Sequence, residues 1–447
     1  MGGGQILTLR MKTMFGLALC LAGGAGLHGQ DPTIRPSRID NRSALDQVSR
    51  MQTDKRIETL QKSLKATPNN AQLQLALGSA FLQKMRETTD FVYLRRAAAL
   101  DDSVLRADPE SYEARRLSIE IDMHKHDFPQ AAENAQLLLK ANPADTGMLG
   151  LLGDALMEMG KCDEAGQIYN RMASLGGNLF SYNRLAFHQF VTGDMAGALA
   201  WMAQAVAAGS PSPENQAWVL TEMGDLLSKA GRVTDAEHAY GGALQAFSGY
   251  HRAHAGMGSL QASREDWSGA TRSLEEAQAA VPFPQYAAML EALYTKTGKL
   301  EAAARERVLV DAVDKLMASN GETANRALVI IYTDTGRNLP RALELAQAEF
   351  AVRNDVYTWD ALSWALLKNK RVGEAREASA KALVYHTPDP LLYYHAGMIA
   401  SAAGAKDDAR LYLNKAITLN PALDFRYAPI LKAELQRLSD TADGNAH

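Results

Sequence analysis

A chain of 447 residues with 47% hydrophobic content can bury several globular cores, or one continuous core running through a stacked array. Its 47 basic and 51 acidic residues are interspersed and leave a formal charge of −4, so no basic stripe exists to draw a polyanion and nucleic acid is excluded as an expected partner. Two cysteines, Cys20 and Cys162, can build neither a disulfide framework nor a cysteine zinc site.

At the N-terminus Arg10 and Lys12 precede an apolar, small-residue run from Met14 to Leu27, and Asp31-Pro32 opens a polar stretch. That run is too short to span a bilayer, so residues 1–29 read as a secretory signal cleaved near Gly29, with Met11 available as an alternative start. The expected location is therefore periplasmic or extracellular, with no membrane span left after cleavage. Lipid anchoring at Cys20 is the lesser alternative, because the preceding Leu17-Ala18-Leu19 puts a bulky leucine where a small residue is wanted. Cleavage would leave the single thiol Cys162, which suits an oxidising compartment. Residues 30–56 hold two prolines and many charges and read as a linker or partly helical lead-in.

From residue 57 the chain is periodic. Ile57 to Ala66, followed by Pro68, predicts the second helix of a degenerate first unit, and Met85 to Leu94 reads as an insertion. Gly153, Gly224, Gly258 and Gly397 are each followed twelve residues later by an alanine. That alanine slot recurs at Ala131, Ala165, Ala198, Ala236, Ala270, Ala303, Ala342, Ala375 and Ala409, in steps of 33, 34, 38 or 39. Five residues before the alanine stands a glycine at Gly160, Gly193, Gly231, Gly298 and Gly404, usually with a charged residue next, which is a turn signal between helices. Leu149, Leu152, Gly153 and Leu156 fall at i, i+3, i+4 and i+7, and Leu220, Met223, Gly224 and Leu227 repeat the pattern. A glycine inside that apolar face costs about 1 kcal/mol of helix propensity, which close packing of a neighbour would explain. Pro143, Pro282 and Pro421 end units. The longer steps predict longer loops near Ser210-Pro211 and Ala318-Gly321, Pro429 to Leu438 predicts a terminal capping helix, and residues 439–447 read as a disordered tail.

These residues resemble the tetratricopeptide repeat, a helix-turn-helix unit of about 34 residues. Tyr393, Ala396, Gly397, Ala400, Ala409, Leu413, Ala416 and Pro421 fill nearly every signature slot in one copy. The resemblance covers residues 57–438 and implies an all-α, right-handed α-solenoid of about ten units. It departs from the pattern at Ile119, Ala186, Glu291 and Ser363, which occupy the glycine slot.

No Lys-Ser or Lys-Thr phosphate loop, His-Glu-x-x-His or G-x-S-x-G elbow occurs, so no catalytic residue, metal ligand or cofactor is expected. The pairs His124/His126 and His251/His254 lack a third ligand nearby, and Cys162 beside Lys161 reads as an inert thiol. The family resemblance implies a protein or peptide partner held in the groove lined by first helices. Its groove slots hold Phe180, Asn183, Phe187 and Phe190; then Trp218, Thr221 and Asp225; then Tyr357, Asp360 and Trp364; and finally Tyr394 and Met398. The aromatic clusters have the composition of binding hot spots, and they equally suit seams between adjacent repeats. The family's carboxylate clamp is not reproduced, since Asn183 has no accompanying basic set. The expected function is a non-enzymatic interaction scaffold in the cell envelope. The alternatives are a metal-binding or enzymatic solenoid using His251 and His254, and a structural envelope-assembly component associating through its end units.

Overall fold

The computed structural model describes residues 52–88, 90–210, 212–319 and 324–443, and every regular element among them is a helix. The expected signal peptide and most of the lead-in fall outside the described residues. A lone helix α1 (Thr53–Ala66) is followed by ten antiparallel hairpins and a final helix. Units 1 to 3 pair α2 (Ala71–Thr88) with α3 (Val92–Ala107), α4 (Tyr112–His124) with α5 (Phe128–Ala141), and α6 (Thr146–Glu158) with α7 (Cys162–Leu175). Units 4 to 6 pair α8 (Leu179–Val191) with α9 (Met195–Ala208), α10 (Pro213–Lys229) with α11 (Val233–Ala246), and α12 (His251–Ser263) with α13 (Trp267–Ala280). Units 7 and 8 pair α14 (Pro284–Lys296) with α15 (Leu300–Ser319), and α16 (Arg326–Thr335) with α17 (Leu339–Val352). Units 9 and 10 pair α18 (Val356–Lys368) with α19 (Val372–Ala382), and α20 (Pro390–Ala402) with α21 (Lys406–Leu419); α22 (Ala428–Asp443) closes the array.

The small residues act where the spacing placed them. All nine slot alanines are buried at 0–2% exposure, so the second helix of each unit crosses its neighbours where nothing larger fits. The slot glycines, however, admit a side chain of the second helix rather than bare backbone. A Cβ at Gly153 would sit 2.3 Å from the Tyr169 ring, and at Gly224 2.5 Å from the Tyr240 ring; Leu274 and Leu413 take the same place against Gly258 and Gly397.

The turn slot has a backbone cause. Gly160, Gly193, Gly231, Gly298 and Gly404 all adopt positive φ, and the same position in units without glycine forces His126, Glu265 and Lys370 to φ of 62–64°. The amide after the turn closes back on the first helix, as Lys161 N does on Leu156 O at 2.8 Å. Where an aspartate follows, it is a cap: Asp127, Asp194 and Asp266 each accept a backbone N–H from the first turn of α5, α9 and α13, whereas Lys161 and Arg232 make no side-chain cap bond.

Three boundary expectations change. The extra residues of the long units go largely into helix, with α10 running 17 residues and α15 running 20, through Ala318. The supposed insertion after Met85 is α2 continuing to Thr88, followed by a short link to α3. The final helix runs on to Asp443, five residues into the stretch expected to be disordered; Leu438 is fully buried, and Ser439 Oγ and Gln436 Nε2 bond Leu435 O and Asp440 Oδ1 one turn away.

Candidate binding surface

The first helices line the inside of the coil, and their polar positions recur as connected sets. Tyr169 OH donates to Asp154 Oδ1 at 2.8 Å, while Arg184 from the next unit grips the same carboxylate through Nε at 2.8 Å and Nη2 at 2.6 Å. Two units on, Tyr240 OH donates to Asp225 at 2.6 Å and Arg252 reaches Asp225 at 3.1 Å and Glu222 at 2.7 Å. In both cases the glycine before the aspartate lets the tyrosine ring lie across the first helix, so its hydroxyl meets the carboxylate. Burial followed by the neighbouring aspartate drives both phenols well above their ordinary range, so they act as donors at every physiological pH.

Units 5 to 10 line a half-open cavity of about 580 Å³. Ala255, Ala288 and Ala327 come from α12, α14 and α16, and Met289 and Ile330 add apolar floor. Charges of both signs rim it: Asp225, Arg252 and Lys229 on one side, Arg326, Asp334 and Arg426 on the other. Each is held in place. Lys229 pairs with Asp389, Arg326 with Asp355 at 3.0 Å, and Arg426 with Asp424 at 2.7 Å, while Asp334 accepts from Trp364 Nε1 at 3.0 Å and from Tyr427 OH. The result is a preorganised polar rim around a narrow apolar floor, a combination suited to a segment carrying both backbone amides and apolar side chains.

The groove is also bounded by the chain's own return. Turns of units 3, 4 and 5 meet the loops that follow units 8, 9 and 10. Asn354 N donates to Glu158 O at 2.9 Å, Thr387 Oγ1 to Val191 O at 2.6 Å, and Asn420 Nδ2 to Ser228 O at 3.0 Å.

The twelve residues expected in the groove divide by burial, with Thr221 buried and Met398 half-buried. Asp225, Tyr357 and Asp360 line the cavity, the last with its carboxylate turned to His395 Nδ1 at 2.9 Å. Trp364 is buried, stacked on His395 at 4.2 Å, and Tyr394 packs between Trp364 and Tyr427. Trp218 is buried beneath Phe180, bonded through Nε1 to Glu222 at 3.1 Å, and Phe190 is buried with Lys229 over its ring. Asn183 is buried against Met202. Phe180 and Phe187 are half-buried. Trp218, Phe190, Trp364 and Tyr394 therefore pack against neighbouring side chains, while Tyr357, Phe180 and Phe187 keep part of their surface open. The cavity alanines and Arg252, Arg326 and Arg426 were missed, although Ala255 and Ala288 sit three residues before the glycine slot, the same position as Asn183.

His251 and His254 have separate partners. His251 Nδ1 meets Tyr286 OH at 2.7 Å and burial lowers its pKa to about 3, keeping it neutral, whereas His254 turns to Ser248 O and Glu276. Among the described residues no group of three His, Cys, Asp or Glu could hold a metal, and no helix is long and apolar enough to cross a membrane. Cys162 is buried, and burial pushes its thiol up to about 11.

Tetratricopeptide repeat family models match residues 123–178, 221–287 and 391–423. Over those three stretches the chain carries tetratricopeptide repeats. Solved structures similar to this repeat array include PilW, described as a widely conserved type IV pilus biogenesis factor, at 15% identity over 45% of this chain and 93% of PilW, TM-score 0.40. MamA matches at 20% identity over 38% of this chain and 92% of its own, TM-score 0.31. A tetratricopeptide repeat protein from Parabacteroides merdae matches at 16% identity over 58% of this chain and 98% of its own, TM-score 0.33. No curated protein matches the sequence.

Proposed function

We propose that this chain is a non-enzymatic interaction scaffold, exported to the cell envelope or beyond, that holds an extended peptide segment of a protein partner on the inner face of its repeats. The observation that carries the reading is the cavity of about 580 Å³ between first helices, with an apolar floor of small residues and an ion-paired rim of both signs. That volume suits a few extended residues rather than a folded domain. Asp225, Tyr357 and Asp360 stand at its edge, and the half-buried Phe180 and Phe187 extend the same inner face toward unit 4. Export rests on Arg10, Lys12 and the apolar run to Leu27.

Capture of the partner from the native envelope by crosslinking tests the reading. Filling the floor with Ala288→Trp should abolish capture, while Leu411→Asp on an exposed second-helix surface should leave it intact. Capture that survives Ala288→Trp with helical circular dichroism unchanged would place binding elsewhere. N-terminal sequencing of the exported protein should begin just after Gly29; a retained Met14–Leu27 segment would remove the export argument.

A further inference from the structure

The contacts between unit 3–5 turns and the loops five units later form a series. Their donors, Asn354, Thr387 and Asn420, stand 33 residues apart. Each donates to a carbonyl in the last turn of a first helix: Glu158 of α6, Val191 of α8 and Ser228 of α10. Glu158 and Val191 stand in the last turn, beyond reach of their helices' own amides, and Ser228 O accepts Gly231 N at 3.0 Å as well, so each loop adds a C-terminal cap to a helix five units away. The turn glycines at this seam are required twice. A Cβ at Gly160, Gly193 or Gly231 would lie 2.5, 3.0 or 3.2 Å from the carbonyl oxygen of Asn354, Tyr385 or Leu419, whereas Gly298, Gly336 and Gly404 face open space.

The seam differs in chemistry from the joints within the array. Successive hairpins are joined by layers of buried alanine and leucine. The seam combines the three caps, the Arg353–Glu158 pair at 3.1 Å and the Lys229–Asp389 pair with apolar contacts from Val356, Tyr357 and Tyr385, and Phe425 meets Trp267 beside it at 5.4 Å. Water can replace hydrogen bonds of this kind, and a polar interface between two bodies of one chain permits relative motion. The backbones of α15 and α16 approach one another less closely than the helices at any other junction among the described residues, and the two are joined through side chains, with Val313 and Met317 packed in one core with Leu328 and Tyr332, and Tyr332 OH donating to Asp314 at 2.9 Å.

We propose that the three caps form a reversible latch. The arm made of units 8 to 10 and α22 parts from units 3 to 5 as one body, pivoting between α15 and α16 and opening the inner groove sideways while every hairpin stays folded. The latch stands independently of what occupies the cavity.

Hydrogen exchange at the Asn354 amide in the full chain reads the latch directly, because that N–H is itself one of the caps. Thr387→Val removes one cap with little change of shape. Asn420→Asp removes another while keeping the oxygen that accepts Ala422 N at 2.8 Å. If the arm moves as a body, losing these two distant caps should speed exchange at Asn354 by roughly tenfold per cap. Interior amides of α6 and α18 should keep their rates, and small-angle scattering should show a larger radius. Unchanged exchange at Asn354 would mean that the caps act independently. Faster exchange at Asn354 matched by equal acceleration within α18 would mean that the arm unfolds rather than swings. Either result overturns the latch.

Discussion

Asp154→Asn tests how much of the repeat core depends on a buried charge. Arg184 and Asp154 have side chains 5% and 1% exposed and are joined by two hydrogen bonds of 2.8 and 2.6 Å, with Tyr169 OH as a third donor to the carboxylate. A guanidinium does not shed its proton, so neutralising Asp154 removes the carboxylate that Arg184 grips between α6 and α8, although Glu120 still acts on the cation. Breaking a buried pair from one side costs about 3–5 kcal/mol, far more than an exposed pair is worth. Because each repeat touches chiefly its neighbours, the loss should fall on units 3 and 4. Urea unfolding followed by hydrogen exchange at α6 and α8 amides measures it, with α20 amides as the internal reference. Replacing both partners, Asp154→Leu with Arg184→Met, should recover most of the loss, since the desolvated charges are then gone together. A single variant costing less than about 1 kcal/mol, or a double variant as unstable as the single, would refute the assignment of a buried ion pair.

Three further outcomes follow from individual sites. Burial raises the Glu158 carboxyl to about 7 despite Arg353 beside it, so folding favours the protonated form, and the cost of ionising it grows as pH rises from about 4.5 through 7 and then levels off. The stability of Glu158→Gln relative to the native chain should therefore climb between pH 5 and 7.5, by on the order of 3 kcal/mol, in paired urea titrations; a pH-independent difference would contradict the shift. Lys370→Gly, at an exposed residue held at φ 64°, should stabilise unit 9 by about 1 kcal/mol by thermal unfolding, and a destabilised variant would show that the turn carries no strain. Gly224→Ala should cost about 1–3 kcal/mol because its methyl meets the Tyr240 ring, whereas Gly241→Ala, with open space around it, should gain up to about 1 kcal/mol of helix propensity; equal effects at both sites would remove the ring-crossing argument.

Much of the array was legible in the residues. The twelve-residue step from glycine to alanine, the turn glycine and the terminal proline act through nearest neighbours, and every alanine named from the slot spacing is buried. The departures also have local answers: Glu291 in a glycine slot is buried and balanced by Arg307 at 2.9 Å and Arg337 at 3.1 Å. The inner surface was less legible. Helical position tells which side a residue takes, but whether Trp218 and Trp364 meet a partner or a neighbouring helix depends on how tightly the units wind.

The primary structure by itself determined that this chain folds as helical hairpins in series, because side-chain size and the left-handed turn are set within one repeat and its immediate neighbours. The winding, the cavity and the seam belong to the tertiary structure. They arise from small rotations summed over five units, and which residues meet in contacts such as Thr387 with Val191, 196 residues apart, is not set within any one repeat.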